Sequence, residues 1–132
     1  MSDALDRRLF PTRAGWDDLR TRFRWSVPDA LNIAHLCCDS WAAVAPERVA
    51  VIHRDTAAGR KLWRYADLKR ASDALACALA AQGAGRGDRV AVLLPQHPAA
   101  LITDLAVMKL GAVSLPLFTL FGDDALRYRL AD

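Results

Sequence analysis

The sequence has few cysteines, and their spacing does not fit a disulfide framework. There are three in 132 residues. Two of them, Cys37 and Cys38, are adjacent and cannot easily bridge each other. No C-x-x-C pair is present, so a disulfide-stapled scaffold and a cysteine-rich zinc site are both excluded. We therefore expect reduced, buried thiols in a cytoplasmic protein.

The chain also lacks a strong charge of either sign. Its net charge is +3, which is too small over this length to predict a nucleic-acid partner. Arginines cluster near the N-terminus, but aspartates are interleaved with them, which is typical of an amphipathic helix with a solvated or interface-forming face. The N-terminus carries acidic residues and no apolar signal segment. The sequence therefore predicts neither secretion nor organelle import.

No hydrophobic run is uninterrupted over the length of a membrane span. The most apolar stretch, residues 98–121, contains Asp104 and Lys109 and is broken by Gly111 and Pro116. One charged residue near the centre of a bilayer costs about 3 kcal/mol on insertion scales, and two make a span unfavourable. The stretch is predicted to be a core helix followed by a core strand, with no transmembrane segment.

Phosphate-binding glycine loops are absent as well. The segment GAGRGDR at 83–89 has alternating glycines, but they follow a predicted helix and precede a predicted strand. A dinucleotide-binding loop has the opposite order and G-x-G-x-x-G spacing. No G-x-x-x-x-G-K-[ST] motif occurs either. We interpret 83–89 as a helix-to-strand turn, and its Arg-Gly-Asp tripeptide as a chance match to a receptor-binding motif.

Residue types that carry metal or nucleophile chemistry are present without the spacing that such sites need. The histidines are His35, His53 and His97. They are far apart in sequence, which favours capping or surface roles. Ser40 lies beside Asp39 on a predicted helix, and the two side chains point in different directions. The same holds for Cys37 and His35, and no G-x-S-x-G elbow occurs. The sequence thus predicts no catalytic, cofactor-binding or metal-ligating residue.

What the chain does have is a regular alternation of helical and strand periodicity, typical of an α/β fold with mostly parallel strands. A short amphipathic helix is predicted around Trp16, Leu19 and Phe23, with Trp25 at its end. The later elements are predicted as a helix from 29 or 31 to 45, a hairpin of strands 48–55 and 61–65, helix 65–82, strand 89–94, helix 97–110, strand 112–117 and helix 123–131. The first of these strands is apolar on both faces, which predicts that it is buried.

Three motifs occur in order along this alternation: LWRYADL at 62–68, GDRVAVLLP at 87–95 and MKLGAVSLPLF at 108–118. They resemble the L-T-Y-x-E-L element, the G-D-x-V-A strand and the K-x-G-A-x-x-x-P element of the adenylate-forming (AMP-binding) enzymes. The flanking segments 23–42 and 116–132 resemble the acetyl-CoA or medium-chain acyl-CoA synthetase branch. The resemblance covers residues 15–132.

Two positions depart from the family pattern. Arg64 stands where the family has threonine, so the following helix is expected to lose a side-chain cap and Asp67 its reciprocal partner. That loss would weaken the helix by roughly 1 kcal/mol. Asp124 stands where proline is common. Neither change touches chemistry.

The resemblance implies the N-terminal portion of an ATP-dependent acyl-CoA ligase. Such a ligase joins a carboxylate to ATP, giving an acyl-adenylate, and then transfers the acyl group to coenzyme A. ATP, magnesium and coenzyme A are thereby implied for the full-length family. The family's Thr/Ser/Gly-rich phosphate loop and its catalytic lysine match no residue here. We therefore expect no cofactor in this chain, carry over no catalytic residue, and leave its own enzyme activity open.

The resemblance also divides the chain into an N-terminal arm with a short amphipathic helix, 1–28, and an incomplete N-terminal α/β subdomain of an AMP-binding domain, 29–132. The partner is then the remainder of the ligase, or a second copy held through an exposed apolar face. The alternative hypothesis is a non-enzymatic α/β module or remnant that assembles with a partner chain or self-associates. A small nucleotide-binding domain is disfavoured because its glycines are misplaced.

Overall fold

The computed structural model describes residues 15–24, 28–55 and 59–131. The predicted arm at 1–14, Trp25 and residues 56–58 of the predicted turn lie outside them. The chain forms two units, Met1–Ala30 and Leu31–Asp132. In the first unit, helix α1 spans Trp16–Arg22, as its amphipathic spacing predicts. An ion pair of 2.7 Å joins Arg22 to Asp18 one turn earlier. The predicted division at residue 28 stays a prediction.

The second unit contains the predicted α/β alternation. In chain order, a π-helical turn spans His35–Asp39 and is followed by α2 (Ser40–Val44), β1 (Val49–Asp55), β2 (Gly59–Arg64), α3 (Tyr65–Ala81), β3 (Arg89–Val92), α4 (Pro98–Lys109), β4 (Val113–Pro116) and α5 (Asp123–Ala131). The α/β class is confirmed. Most element bounds lie within two residues of the prediction.

The described strands form two small sheets. Strands β1 and β2 pair antiparallel as the predicted hairpin, while β3 and β4 pair parallel. Parallel strands cannot be joined by a tight turn, so α4 crosses between β3 and β4 and packs against both of them and against α3. The parallel pair is in register from Arg89 opposite Val113 to Val92 opposite Pro116.

The prediction that β1 is buried on both faces is wrong. Only one face of the hairpin packs inward, where Val51 and Trp63 contact the main apolar cluster. The other face carries Ile52, which is 57% exposed, and Leu62, which is 42% exposed. Periodicity alone cannot separate a strand buried on both faces from one with exposed aliphatic side chains.

The core lies where α3, α4 and the π-helical turn meet. The buried cluster consists of Ala34, Cys38, Leu68 and Leu105. The α4 residues Ala106 and Val107 are fully buried, as expected for a helix that is apolar around most of its circumference. No helix among the described residues is long and apolar enough to cross a membrane.

The first helix of this unit starts later than predicted and contains an irregular turn. Asn32 accepts the backbone N–H of His35 at 3.1 Å through its side-chain oxygen. Its side-chain nitrogen donates to the carbonyl of Met108 at 2.8 Å. Asn32 thus both starts the helix and ties it to the end of α4. A contact 76 residues away in sequence leaves no local pattern to predict it.

Helices α3 and α4 end in the same way, at glycines with positive φ. Gly83 has φ +95° and Gly111 has φ +69°. After α3, the N–H of Gly83 bonds to Ala80 at 2.9 Å and that of Ala84 bonds to Leu79 at 3.0 Å. The same pair of bonds follows α4, from Gly111 and Ala112. Both ends are Schellman motifs, which satisfy the last carbonyls of a helix and require a residue in the left-handed region.

The α3 N-terminus keeps half of the capping box that Arg64 was expected to disrupt. The guanidinium of Arg64 has no acceptor, so the side-chain cap is missing, as expected. However, the carboxylate of Asp67 still accepts the backbone N–H of Arg64 at 3.1 Å. This bond and a hydrogen bond from Arg70 hold the pKa of Asp67 below its ordinary value. The expectation that Asp67 loses its capping-box partner is therefore wrong, because the backbone of Arg64 still donates to it.

The two Schellman glycines should be sensitive to alanine. We expect Gly83→Ala and Gly111→Ala each to lower the free energy of unfolding by about 1–2 kcal/mol, because an L-residue in the left-handed region is strained. At Gly111 a new Cβ would also lie 3.4 Å from Cγ of Arg86. Urea unfolding, monitored by circular dichroism, measures the free energy of unfolding of both variants.

Gly85→Ala is the matched control for this experiment. Gly85 has no positive φ, and its nearest contact for an added Cβ is 3.9 Å away. Its effect should stay within about 0.5 kcal/mol. Equal losses at all three glycines would contradict the role assigned to the Schellman turns.

Candidate functional site

An open cleft of about 470 Å³ lies where β3 and β4 end. Its walls come from the ends of these two strands, the start of α4 and the length of β1 from Val51 to Arg54. The N–H of Leu117 bonds to the carbonyl of Val92 at 2.9 Å and closes the strands at this point. In open α/β sheets, ligands bind outside the carboxyl ends of the strands. The cleft is therefore the best candidate site in the described part of the chain.

Two histidines meet at the cleft. His97 is the N-cap of α4, and its Nδ1 accepts the N–H of Ala99 at 3.1 Å. This bond places the proton of a neutral His97 ring on Nε2. The ring of His53, from β1, lies 4.8 Å from that of His97, centre to centre, in an edge-on arrangement. His97 lies at the start of a helix, as predicted, but no pattern in the sequence indicates that the two rings are neighbours.

One carboxylate faces the same cleft. Asp104 on α4 lines it, and its Oδ1 accepts the hydroxyl of Ser114 on β4 at 2.6 Å. The pair ties α4 to the parallel sheet, which explains how a carboxylate is tolerated within an apolar helix. The remaining walls are mainly aliphatic and aromatic. The cleft can thus enclose an apolar group. The contacts described for its lining residues do not pair a nucleophile with an adjacent base.

The described residues do not fit a magnesium ion. Among residues 15–24, 28–55 and 59–131, no three or more His, Cys, Asp or Glu side chains are grouped so that they could hold a metal. In the histidine pair, Nδ1 of His97 is occupied by the α4 cap. Mg²⁺ prefers oxygen ligands. The described part of the chain therefore lacks the ligand set for a magnesium ion.

The glycine turn at 83–88 does not fit a phosphate. A phosphate cradle needs free backbone N–H groups, but those of Gly83, Gly85 and Gly87 are already bonded. The N–H of Gly85 donates to Oδ2 of Asp88 at 2.7 Å. That of Gly87 donates to the carbonyl of Gly111 at 3.1 Å. The segment joins α3 to β3, as predicted, and fastens both Schellman turns together.

The nucleophile candidates on the first helix of this unit are structural. The hydroxyl of Ser40 donates to the carbonyl of Leu36 at 2.9 Å, and Asp39 pairs with Lys109. The cysteines are free thiols, but only Cys38 is buried. The expectation that all three are buried is therefore wrong, because Cys37 and Cys77 lie on outward positions of their helices. Burial raises the pKa of the Cys38 thiol, which makes that thiol less reactive.

A second cluster of charged groups lies behind the core, centred on Lys109 at the end of α4. Its ammonium bonds to Asp39 at 2.8 Å and to Asp73 on α3, and Lys69 completes the group at 2.5 Å from Asp73. The Lys109 side chain is only 11% exposed. The group links the π-helical turn, α3 and α4, and two carboxylates balance two ammonium groups.

Burial alone would lower the pKa of Lys109, but its bonds to Asp39 and Asp73 outweigh this effect and raise it above the ordinary lysine value. Burial likewise opposes ionisation of Asp73. The bonds from Lys109 and Lys69 nevertheless hold its pKa below the ordinary aspartate value. Both pKa shifts favour the charged forms of Lys109 and Asp73, and the role of the cluster is to join three elements.

Comparisons with known proteins agree with this fold. The sequence model of a family described as AMP-binding enzyme matches residues 38–132. Acetyl-coenzyme A synthetase 2 of Eremothecium gossypii is 36% identical over 109 residues, covering 82% of this chain and 16% of that protein. Acetyl-coenzyme A synthetase 2 of Pseudomonas putida is 35% identical over 117 residues, covering 87% of this chain and 18% of that protein.

A solved structure is similar as well. The crystal structure of an acyl-CoA synthetase from Brucella canis superposes with a TM-score of 0.81 at 30% sequence identity, covering 88% of this chain and 23% of that chain. The present chain thus spans about a sixth of the length of the curated relatives it matches.

The Lys109 cluster gives a prediction on stability. Replacing Lys109 with methionine leaves Asp39 without its cation and leaves Asp73 with Lys69 alone. We expect a loss of about 3 kcal/mol in the free energy of unfolding at neutral pH, as for a buried pair with one partner removed. Lys69→Met is the control: Lys69 is 43% exposed, so its loss should cost within about 0.5 kcal/mol.

The pH profile of the unmodified chain tests the same cluster. Stabilisation through Lys109 is present below its unfolded pKa and should be lost as the pH rises through its higher folded pKa. Stabilisation through Asp73 is present above its unfolded pKa and should be lost as the pH falls through its lower folded pKa. Urea midpoints across pH should show the alkaline loss in the unmodified chain and not in Lys109→Met. An identical alkaline limb in both would refute the assignment.

Proposed function

Because this chain belongs to the AMP-binding enzyme family, we propose that it forms the N-terminal scaffold of an ATP-dependent acyl-CoA ligase. The observation that carries the proposal is the family match over the α/β unit, together with the similar acyl-CoA synthetase fold. On this proposal the full-length enzyme activates a carboxylate with ATP and Mg²⁺ and transfers the acyl group to coenzyme A.

The proposed reaction has two steps. A carboxylate oxygen attacks the α-phosphorus of ATP, and pyrophosphate leaves, which gives an acyl-adenylate. The thiol of coenzyme A then attacks the acyl carbon, and AMP leaves. Both steps need cationic groups that neutralise phosphate charge in the transition state. The contribution proposed for this chain is to shape one wall of the site through the cleft at the ends of β3 and β4.

Two further assignments belong to the proposal. We assign residues 1–28 to an arm with the short helix α1, and residues 29–132 to part of an AMP-binding domain. We also assign the chain to the cytoplasm. Free thiols at Cys37, Cys38 and Cys77 support that assignment, because disulfides form in oxidising compartments.

The chain is proposed to be inactive by itself. Its sequence contains no Thr/Ser/Gly-rich segment ending in lysine that could wrap the ATP phosphates. In the described residues, the three glycine N–H groups of the turn are already bonded. No three or more His, Cys, Asp or Glu side chains there are grouped so that they could hold a metal. The proposed role of the chain is therefore structural support for chemistry carried out by other groups of a ligase.

The purified 132-residue chain should release no pyrophosphate from ATP above the rate without protein. We expect this with acetate and with a medium-chain fatty acid, in the presence of Mg²⁺ and coenzyme A, in a coupled pyrophosphate assay. A full-length acetyl-CoA synthetase in the same buffer is the positive control. Release that depends on the acid and on the chain would overturn the proposed inactivity while leaving the family assignment intact.

The alternative is a non-enzymatic module that self-associates, and exposed apolar side chains favour it. After β4, Phe118 is 59% exposed and Leu120 is 80% exposed, while Val113 on β4 is 51% exposed. Exposed apolar side chains of this kind are typical of surfaces that a second chain or copy can cover.

Size-exclusion chromatography with light scattering tests this alternative. If the surface is covered by self-association, the mass should shift from that of the 14.5 kDa chain towards a dimer as concentration rises. Phe118→Ser with Leu120→Ser should then return the chain to a monomer. Val44→Ser, at another exposed position, is the control. A monomer at all concentrations that binds no hydrophobic dye would exclude self-association.

A further inference from the structure

The outward face of the β1–β2 hairpin combines positive charge with exposed aliphatic side chains. Antiparallel register partners lie on the same face, as do residues two apart on one strand. Register places Arg54 opposite Arg60 and Ile52 opposite Leu62. Arg64 follows two residues after Leu62. We call these five residues, Ile52, Arg54, Arg60, Leu62 and Arg64, the arginine face.

The core does not account for the arginine face. The inward face of the hairpin holds Val51 and Trp63, which pack on the apolar cluster. The five residues of the arginine face are all exposed. Ile52 and Arg54 also line the cleft. From that shared border the arginine face continues across β2 through Arg60, Leu62 and Arg64, which do not line the cleft.

The charges of this face are poorly compensated. Arg54 and Arg60 are directly opposite each other, an arrangement in which like charges destabilise a sheet. Within residues 28–55 and 59–131, neither side chain forms an ion pair. Arg64 has one carboxylate partner, Glu47, at 3.2 Å, but that carboxylate is 76% exposed. An external anion between Arg54 and Arg60 would remove the repulsion.

The chemistry of the face favours phosphate next to hydrocarbon. The planar guanidinium donates two parallel hydrogen bonds to phosphate oxygens. Between the arginines lie Ile52 and Leu62, which fit the boundary between headgroups and acyl chains. Anchors of protein–protein interfaces are mostly Trp, Tyr and Arg, and leucine is under-represented there. The face has arginine but no aromatic anchor, so a bilayer fits it better than an acidic protein.

We propose that the arginine face is a peripheral contact surface for membranes that contain anionic phospholipids. This inference goes beyond the ligase scaffold and does not depend on it. Each arginine near an anionic membrane contributes about fivefold to partitioning. Three of them give reversible binding on the order of 100-fold over a neutral surface, and salt should weaken it because the charges are solvent-exposed.

Co-sedimentation with vesicles tests the proposal on the complete chain. We expect binding to vesicles of phosphatidylcholine with phosphatidylglycerol, little binding to phosphatidylcholine alone, and loss of binding as salt is raised. Arg54→Gln with Arg60→Gln should weaken binding by about 25-fold, which is two arginines at about fivefold each. Because this change removes a repulsion, it should leave the melting temperature equal or higher.

The matched control is Arg70→Gln with Arg127→Gln. These side chains are 75% and 77% exposed on α3 and α5, and their loss changes the net charge equally. Their variant should bind within about twofold of the unmodified chain. Equal weakening in both double variants would show attraction through net charge alone and overturn the proposal. Binding to polyglutamate with none to anionic vesicles would also overturn it, in favour of an acidic protein partner.

Discussion

The parallel pairing of β3 with β4 is the constraint on which most of the second unit depends. Parallel neighbours need a crossover, and α4 is that crossover. Its position over the sheet requires an apolar surface on most sides, which Leu105, Ala106 and Val107 provide. It also brings the start of α4 to the carboxyl ends of the strands. The cleft and the His97 cap are direct consequences of this one connection.

The same constraint explains why charged residues occur in so apolar a helix. Asp104 faces β4 and bonds to Ser114, while Lys109 at the other end bonds to Asp39 and Asp73. Each charge ties α4 to a different neighbour. The motifs that resemble the adenylate-forming family therefore have structural roles here. Lys109 and Gly111 belong to one of these motifs, and they fix the end of α4 and the start of β4.

Local sequence signals predicted the elements well because their ends have local causes. Gly83 and Gly111 end helices through their own backbone conformation, and Pro98 starts one at its first position. The α/β class could be predicted from these ends and the periodicity. By contrast, the tie from Asn32 to Met108, the contact of His53 with His97 and the burial of Cys38 depend on packing between distant segments. The exposed side of β1 was missed for the same reason.

Net charge, too, is informative only once residues are placed in space. Between residues 47 and 64 the sequence has five basic and two acidic side chains, so this segment carries a charge equal to that of the whole chain. Elsewhere opposite charges pair, most completely around Lys109, whose own side chain is 11% exposed. On the hairpin the charges face water and repel across the strands. A buried cluster must be neutral to be stable, whereas an exposed one can keep its charge for an external partner. In the described part of the chain, the fold thus places unbalanced positive charge on the exposed face of the β1–β2 hairpin.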